Sequence, residues 1–374
     1  SSQGRESICQ GLDPLTRLRS YNTDSDNQET MDLRIFCLFF CTYMIKRRSD
    51  LKETEYEKTG SPVIIDPQYR MECFHAVNLE EPSPLECFTG ELSREITKCA
   101  EPEETVSFKS VRKNNGIQKE ACFVRCGETK VAPAFYLDDF YDEYNKNGRT
   151  VRQIAESILY EARMSMPGRK MSFDFWKDYN EVKKRLIIKL VGYSGNRELL
   201  AEVPYDRIED MAAIYCYLLA EEGMQGGTIT IRNEHLQRWG ISKETLNADA
   251  FGSCQTLQPV CITGICEALG MPVDNSEDDD MFVISNTSKI FGASCVLYPG
   301  VLEKFAAEKD ADIFVLPSSI HEMILLPEKE DQDYSTLQNI VKETNRTEVD
   351  PEEVLSDSVY YYDREAGVLS KYLP

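Results

Sequence analysis

The sequence has few histidines and lacks the common motifs of nucleotide and nucleophile sites. Its three histidines are His75, His235 and His321, so any mechanism with an imidazole base must use one of them. No Gly-x-x-x-x-Gly-Lys-Ser/Thr loop and no Gly-x-Gly-x-x-Gly sequence occurs, which leaves nucleotide binding without motif support. No Gly-x-Ser-x-Gly sequence occurs either, and this excludes the usual turn that exposes a nucleophilic serine.

Long hydrophobic runs are also missing. The most apolar run, residues 35–45 (IFCLFFCTYMI), is shorter than the about 20 residues that a membrane-spanning helix needs. It lies too far inside the chain for an ordinary signal peptide, although Met31 is a conceivable alternative start. Its length favours a buried core segment, and two alternatives stay open: a vestigial membrane-targeting segment or an exposed adhesive patch.

The 13 cysteines contain no Cys-x-x-Cys pair. Cys37 and Cys41, like Cys122 and Cys126, are separated by three residues, but no second doublet or paired histidine completes a zinc set. We therefore expect free thiols in a reducing compartment, with no metal site and no cofactor.

The charge balance excludes one class of partner. The 374 residues include 42 basic and 64 acidic side chains, a net charge of −22, which repels phosphate backbones. The basic clusters at 46–48 and 183–185 are too short to change this. We expect no nucleic-acid partner, whereas a hydrophobic content of 41% is enough for a sizeable core.

The best-defined piece of core is the stretch 281–328. Apolar and β-branched runs predict strands at 282–284, 294–298, 313–316 and 323–326. Between the second and third strands, Pro299 opens a helix-length segment with an apolar stripe, since a first-turn proline sacrifices no hydrogen bond.

Elsewhere the patterns predict hairpins separated by helices. A hairpin is expected at 105–111 and 121–126 around the turn 114–116, and a terminal hairpin at 359–362 and 368–372. Helices are expected at 151–164 and 173–191. The fold class is therefore α+β, with mainly antiparallel strands in hairpins and helices packed between the groups.

Three segments make up the predicted domain organisation. Residues 1–87 form an N-terminal extension, partly disordered, that carries the apolar segment 35–45. Residues 88–200 form an α+β subdomain with a hairpin and two helices, and residues 201–374 form a second α+β subdomain.

The sharpest polar cluster runs from Ser318 to Glu322. Ser318, Ser319, His321 and Glu322 supply the hydroxyl, imidazole and carboxylate of acyl transfer. Adjacent positions rarely form the line from nucleophile to base to orienting group, since Ser319 and His321 face one side of an extended chain and Glu322 the other. The spacing favours a tight turn whose hydroxyls bind backbone groups.

Other segments have a functional and a structural interpretation. Aromatic residues at 135–144 suit a binding face or a helix that packs on the hairpin, and spacing favours the helix. The acidic run 277–280 lacks the spacing of a calcium loop and is typical of a solvated loop. The aromatic run 359–362 suits cross-strand packing better than base stacking.

Several phrases of the sequence resemble a family of uncharacterised bacterial proteins, a domain of unknown function. Together the phrases span about residues 88–366; they lie at 113–116, 131–133, 136–137, 140–141, 239–242, 297–302, 316–322, 351–356 and 359–364. The resemblance implies a cytoplasmic bacterial protein and brings no activity, cofactor or catalytic residue with it. Residues before about 85 fall outside it.

Two hypotheses for function follow. The leading one is a non-catalytic protein–protein interaction module with an unidentified protein partner. The alternative is a hydrolase-like enzyme that uses the turn from Ser318 to Glu322. A third role, weak membrane association through residues 35–45, is disfavoured by the length of that run.

Overall fold

The structure, a computed structural model, describes residues 83–126, 132–165, 173–219, 227–268, 280–330 and 334–373. The chain separates into two compact units. Of the described residues, the smaller unit contains those within 83–112 and 118–165, and the larger contains those within 113–117 and 173–373. The domain boundary that the sequence suggests at residue 200 stays a prediction.

The smaller unit packs helices on a three-stranded antiparallel sheet in the order β1-β2-β3. Its first helix begins after Ser83, whose hydroxyl accepts from the Glu86 N–H at 3.2 Å while the Glu86 carboxylate accepts from the Ser83 N–H. The elements are α1 Pro84–Cys99, β1 Glu104–Arg112, β2 Gln118–Cys126, β3 Ala134–Tyr136, α2 Leu137–Asn147 and α3 Val151–Ser165.

In the larger unit, β6 lies at the centre of a four-stranded sheet, where it pairs antiparallel with each of the other strands. Its sequence MAAIYCYL is buried on both faces, which explains the absence of polar alternation. This part contains α4 Tyr179–Val182, β4 Leu186–Gly192, α5 Arg197–Glu202, β5 Tyr205–Ile208, β6 Met211–Leu218, β7 Thr228–Thr230, α6 Asn233–Trp239 and α7 Lys243–Leu257.

A second sheet of the larger unit has six strands in the order β13-β12-β10-β11-β9-β8, with antiparallel neighbours. β10 is buried along its whole length, because hydrophobic clusters cover both faces: Ile313 and Val315 join one, and Phe314 and Leu316 the other. The elements are β8 Val260–Gly264, α8 Ile265–Ala268, β9 Phe282–Asn286, α9 Val301–Lys309, β10 Ile313–Ser319, β11 Glu322–Pro327, α10 Leu337–Thr347, β12 Tyr360–Asp363 and β13 Val368–Lys371.

The α+β fold class is confirmed, as are the predicted hairpins. β1 and β2 pair around the turn at Asn114–Gly116, β10 pairs with β11, and β12 pairs with β13. The helices expected at 151–164 and after Pro299 are α3 and α9. Of the aromatic residues at 135–144, Phe140, Tyr141 and Tyr144 lie in a helix, α2, as expected, whereas Phe135 and Tyr136 lie in β3.

Two predictions of secondary structure are wrong. Instead of the helix expected at 173–191, the structure has 3₁₀ turns and the short helix α4, followed by strand β4. The run Leu186–Gly192 pairs with β6 because branched apolar side chains suit a buried strand. The strand expected at 294–298 is a 3₁₀ helix, Gly292–Leu297. Short apolar runs fit either structure, and tertiary packing decides.

Helix α1 begins at Pro84, within the segment 1–87 for which an N-terminal extension is expected. The apolar run 35–45 and most of the acidic run 277–280 lie outside the described residues. Among the helices that the structure describes, none is long and apolar enough to cross a membrane.

Candidate functional site

The corner from Ser318 to Glu322 joins β10 to β11. The Ser318 hydroxyl donates to the Glu322 carboxylate at 3.2 Å, and the Ser319 hydroxyl accepts from the backbone N–H of His321 at 3.0 Å. The exposed fractions of Ser318 and Ser319 are only 4% and 5%. The strand register shifts between Pro317 and Ser319, so the hydroxyls stabilise an irregular turn.

The imidazole of His321 is engaged at both nitrogens. Nδ1 lies 3.2 Å from the Phe291 backbone nitrogen, whose N–H it accepts, and also 3.2 Å from the Lys289 carbonyl oxygen. Nε2 lies 3.6 Å from a carboxylate oxygen of Glu353. A neutral ring that accepts at Nδ1 carries its proton on Nε2, so the N–H is directed towards Glu353.

The loop that follows β9 is folded tightly against this imidazole. The Phe291 ring stacks on the His321 ring, with centroids 5.6 Å apart and planes at 19°. Lys289 and Phe291 both adopt left-handed backbone conformations, with φ of 55° and 54°. Such conformations are costly for residues other than glycine and persist only where surrounding contacts enforce them.

Those contacts come from Asn286. Its carboxamide oxygen accepts from the backbone N–H groups of Ser288 and Ile290, and its amide nitrogen donates to the Ile290 carbonyl at 2.8 Å. The loop leaves no room for a side chain at Gly292, since an added Cβ would lie 2.2 Å from the Ser285 hydroxyl and 2.5 Å from the His321 carbonyl oxygen. The site therefore requires a glycine for close approach.

Three of the phrases that carry the family resemblance meet at this corner. The Asn114 amide donates to the Glu352 carbonyl at 2.9 Å, and the Asn115 amide to the Val354 carbonyl at 2.7 Å. The Ile320 N–H donates to the Glu353 carbonyl at 2.9 Å. Segments 113–116, 316–322 and 351–356, all of the larger unit, thus hold one another through main-chain carbonyls.

A lysine that the sequence reasoning missed lies beside this corner. The Lys189 ammonium is 4.3 Å from the Phe291 ring centroid. Desolvation lowers the pKa of Lys189, and the charge of Lys113 adds to this, while Cys216, Glu352 and Glu353 oppose it. The signal that could have found it is a single charge inside the apolar run LIIKLVG, which the prediction of a helix concealed.

The other histidine in the described ranges, His235, lies at the start of α6. Its Nδ1 accepts from the Arg232 N–H at 3.0 Å. Its ring packs against Trp176 and Trp239, and burial lowers its pKa. His75 lies outside the described residues.

Metal and thiol chemistry have little support in the described ranges. No group of three or more His, Cys, Asp or Glu residues there could hold a metal ion. Among the described cysteines, burial raises the pKa of the Cys122 and Cys295 thiols to about 12. Such thiols are protonated near neutral pH and react slowly.

The arrangement can fix a turn and position an imidazole against a carboxylate. A serine base would need its acceptor nitrogen to face a hydroxyl, whereas Nδ1 of His321 faces a backbone N–H. A shallow depression elsewhere on the larger unit does not include the corner; charged side chains dominate its lining, including Asp310, Asp312, Glu328, Lys329 and Arg364.

Comparison with known proteins gives one result. The model of a family of unknown function, DUF5688, matches residues 85–364. No curated protein and no solved structure matches the chain. Because the family match extends over most of the sequence, the protein belongs to the DUF5688 family of unknown function.

Proposed function

We propose that the protein works by binding a protein partner and that the corner from Ser318 to Glu322 serves architecture. The main observation behind the proposal is that both serine hydroxyls already take part in hydrogen bonds. Each is almost fully buried and hydrogen-bonded within the turn, Ser318 to Glu322 and Ser319 to the His321 N–H. A nucleophile must instead be reachable by substrate and contact its base.

The hydrolase-like alternative would use the same residues differently. It would require His321 to leave the Phe291 N–H and turn its unprotonated nitrogen to Ser319 or Ser318. That change would leave the backbone N–H of Phe291 without its acceptor, which costs about 1–3 kcal/mol where the group is buried. The geometry therefore supports an architectural role for the turn over the hydrolase-like alternative.

The setting of this role is part of the proposal. Six described cysteines are free thiols, which suits a reducing cytoplasm: Cys99, Cys122, Cys216, Cys254, Cys261 and Cys295. A net charge of −22 favours protein partners over nucleic acid. The bacterial origin that the family resemblance implied stays an expectation.

Two histidine variants test the proposal. His321→Ala removes an imidazole from the corner, and His235→Ala removes one from the aromatic cluster around Trp176 as a matched control. Both variants and the wild type are unfolded in urea and screened against ester, amide and phosphoester substrates. We expect both variants to unfold at lower urea and no substrate to be turned over. A reaction that His321→Ala abolishes while its folding and the His235→Ala activity remain would contradict the proposal.

A further inference from the structure

A positively charged aromatic surface lies on the larger unit beside β5. We define this arginine–tyrosine surface by Tyr193, Arg197, Tyr205, Arg207 and Lys243. The guanidinium carbons of Arg207 and Arg197 lie 4.3 and 5.1 Å from the centroid of the Tyr193 ring. The Tyr205 ring packs beside Tyr193, with centroids 6.2 Å apart. Stacking therefore holds both guanidinium groups in place before any ligand binds.

The two arginines lack the counter-charge that their neighbours have. Within the described ranges, no carboxylate lies within ion-pair distance of Arg197 or Arg207, and both side chains are exposed. Nearby, Lys243 pairs with Asp206 at 2.6 Å. The Nε of Arg207 donates to the Glu209 carbonyl at 2.9 Å, and its Nη groups can still meet a carboxylate in two parallel hydrogen bonds.

The backbone of β5 lies at an open edge of its sheet. Among the described strands, β5 pairs only with β6. The pair Ile208 and Met211 closes a two-residue turn, so the alternation of an antiparallel ladder directs the N–H and C=O groups of Arg207 and Tyr205 outwards. Lys243 donates to the Tyr205 carbonyl at 3.2 Å, as that orientation requires, so an added strand shares this acceptor with Lys243 or displaces it.

We propose that the arginine–tyrosine surface docks an extended segment of a protein partner, which adds to β5 as a strand and carries glutamate or aspartate at alternate positions. Side chains two residues apart on the added strand share a face with Tyr205 and Arg207, so successive carboxylates reach Arg207 and Arg197. Backbone pairing supplies affinity and the guanidinium groups supply specificity. This inference rests on the proposed binding function and names the chemistry of the partner.

A labelled peptide tests the proposal on the full chain. The probe is a fluorescein-labelled peptide of alternating glutamate and valine, and its binding is followed by fluorescence anisotropy at low and high salt. A second peptide has the same sequence but is N-methylated at the glutamates, so that it keeps every charge and loses the N–H groups that would pair with β5. The double variant R197Q/R207Q is compared with R152Q, which alters an exposed arginine of the smaller unit.

We expect the wild type and R152Q to bind the unmethylated peptide equally. The double variant and the methylated peptide should each weaken binding by about tenfold or more, and added salt should weaken it further. Failure of the wild type to bind, equal binding by the double variant, or equal binding of the methylated peptide would each overturn the proposal.

The outcomes separate this inference from the proposed function. If the peptide assay fails while the His321→Ala experiment still finds no activity, the docking surface is wrong and the binding role stands. If His321→Ala abolishes a measured reaction, the binding role itself is wrong, whatever the peptide does.

Discussion

Replacement of Gly292 by alanine is the sharpest test of how the corner is built. An added Cβ would lie 2.5 Å from the His321 carbonyl oxygen and 2.7 Å from the Asn286 nitrogen, both backbone atoms that cannot rotate away. Overpacking of this kind costs about 1–3 kcal/mol. Displacement of the Ser285 hydroxyl would also break its 2.8 Å hydrogen bond to His321, worth about 1 kcal/mol. We expect Gly292→Ala to destabilise the larger unit by about 2–4 kcal/mol.

The assay can be confined to the larger unit. Both tryptophans of the chain, Trp176 and Trp239, belong to it, so tryptophan fluorescence in urea reports its unfolding. Gly252→Ala is the matched control: Gly252 lies inside α7 with nothing within 4 Å of an added Cβ. That change should stabilise by about 0.5–1 kcal/mol, because glycine is unfavourable in a helix.

The two glycine variants should therefore move the urea midpoint in opposite directions. With a slope of about 2 kcal/mol per M, Gly292→Ala should lower the midpoint by about 1–2 M. A midpoint equal to that of the wild type would refute the steric argument. So would a Gly252→Ala variant that loses as much stability as Gly292→Ala, since the loss would then not depend on the close approach.

Other predictions concern named contacts. Burial favours the protonated form of Asp210, but hydrogen bonds from Tyr360 and Ser358 and the charge of Lys371 outweigh burial and lower the pKa of this carboxyl group. The stability that Asp210 contributes is therefore present above the unfolded pKa of 3.8 and is lost as pH falls through the folded pKa. Asp210→Asn should remove that part of the acid dependence in unfolding free energies measured from pH 6 down to about 3. Desolvation lowers the pKa of Lys189, so the wild type should gain stability as pH rises towards 10.5. Lys189→Met should lack this rise and should be more stable than the wild type at neutral pH by about 1 kcal/mol. A variant less stable than the wild type would show that the buried ammonium stabilises the fold. Asn115 has a φ of 58°, so Asn115→Ala should be about 1 kcal/mol less stable than Asn115→Gly in the same urea assay, since both lose the amide hydrogen bonds and only alanine strains the backbone. Limited proteolysis tests the domain division: stable fragments ending near residue 200 would support the boundary suggested by the sequence, and fragments ending near residue 171 would support the two compact units.

Local sequence patterns were enough to predict the elements with strong turn and periodicity signals. Apolar runs of strand length flanked by turn residues predicted β10, β11 and both hairpins, because period and turn chemistry are local properties. The Ser318–Glu322 turn was likewise assigned from its spacing, and its buried, hydrogen-bonded hydroxyls are consistent with a structural role. The absence of nucleotide-binding and nucleophile motifs left fewer candidate functions, and no motif indicated a particular one.

The remaining features depend on contacts between segments that are distant in sequence. LIIKLVG fits a helix or a strand equally well, and pairing with β6 makes it β4. Residues 113–116 and 351–356 are far apart in sequence, and no local pattern indicates that they hydrogen-bond to each other or that the Glu353 carboxylate lies 3.6 Å from His321. The stacking of Arg197 and Arg207 on Tyr193 likewise brings together side chains from α5, from β5 and from the turn that follows β4. Such contacts arise from long-range packing, which period and composition do not encode.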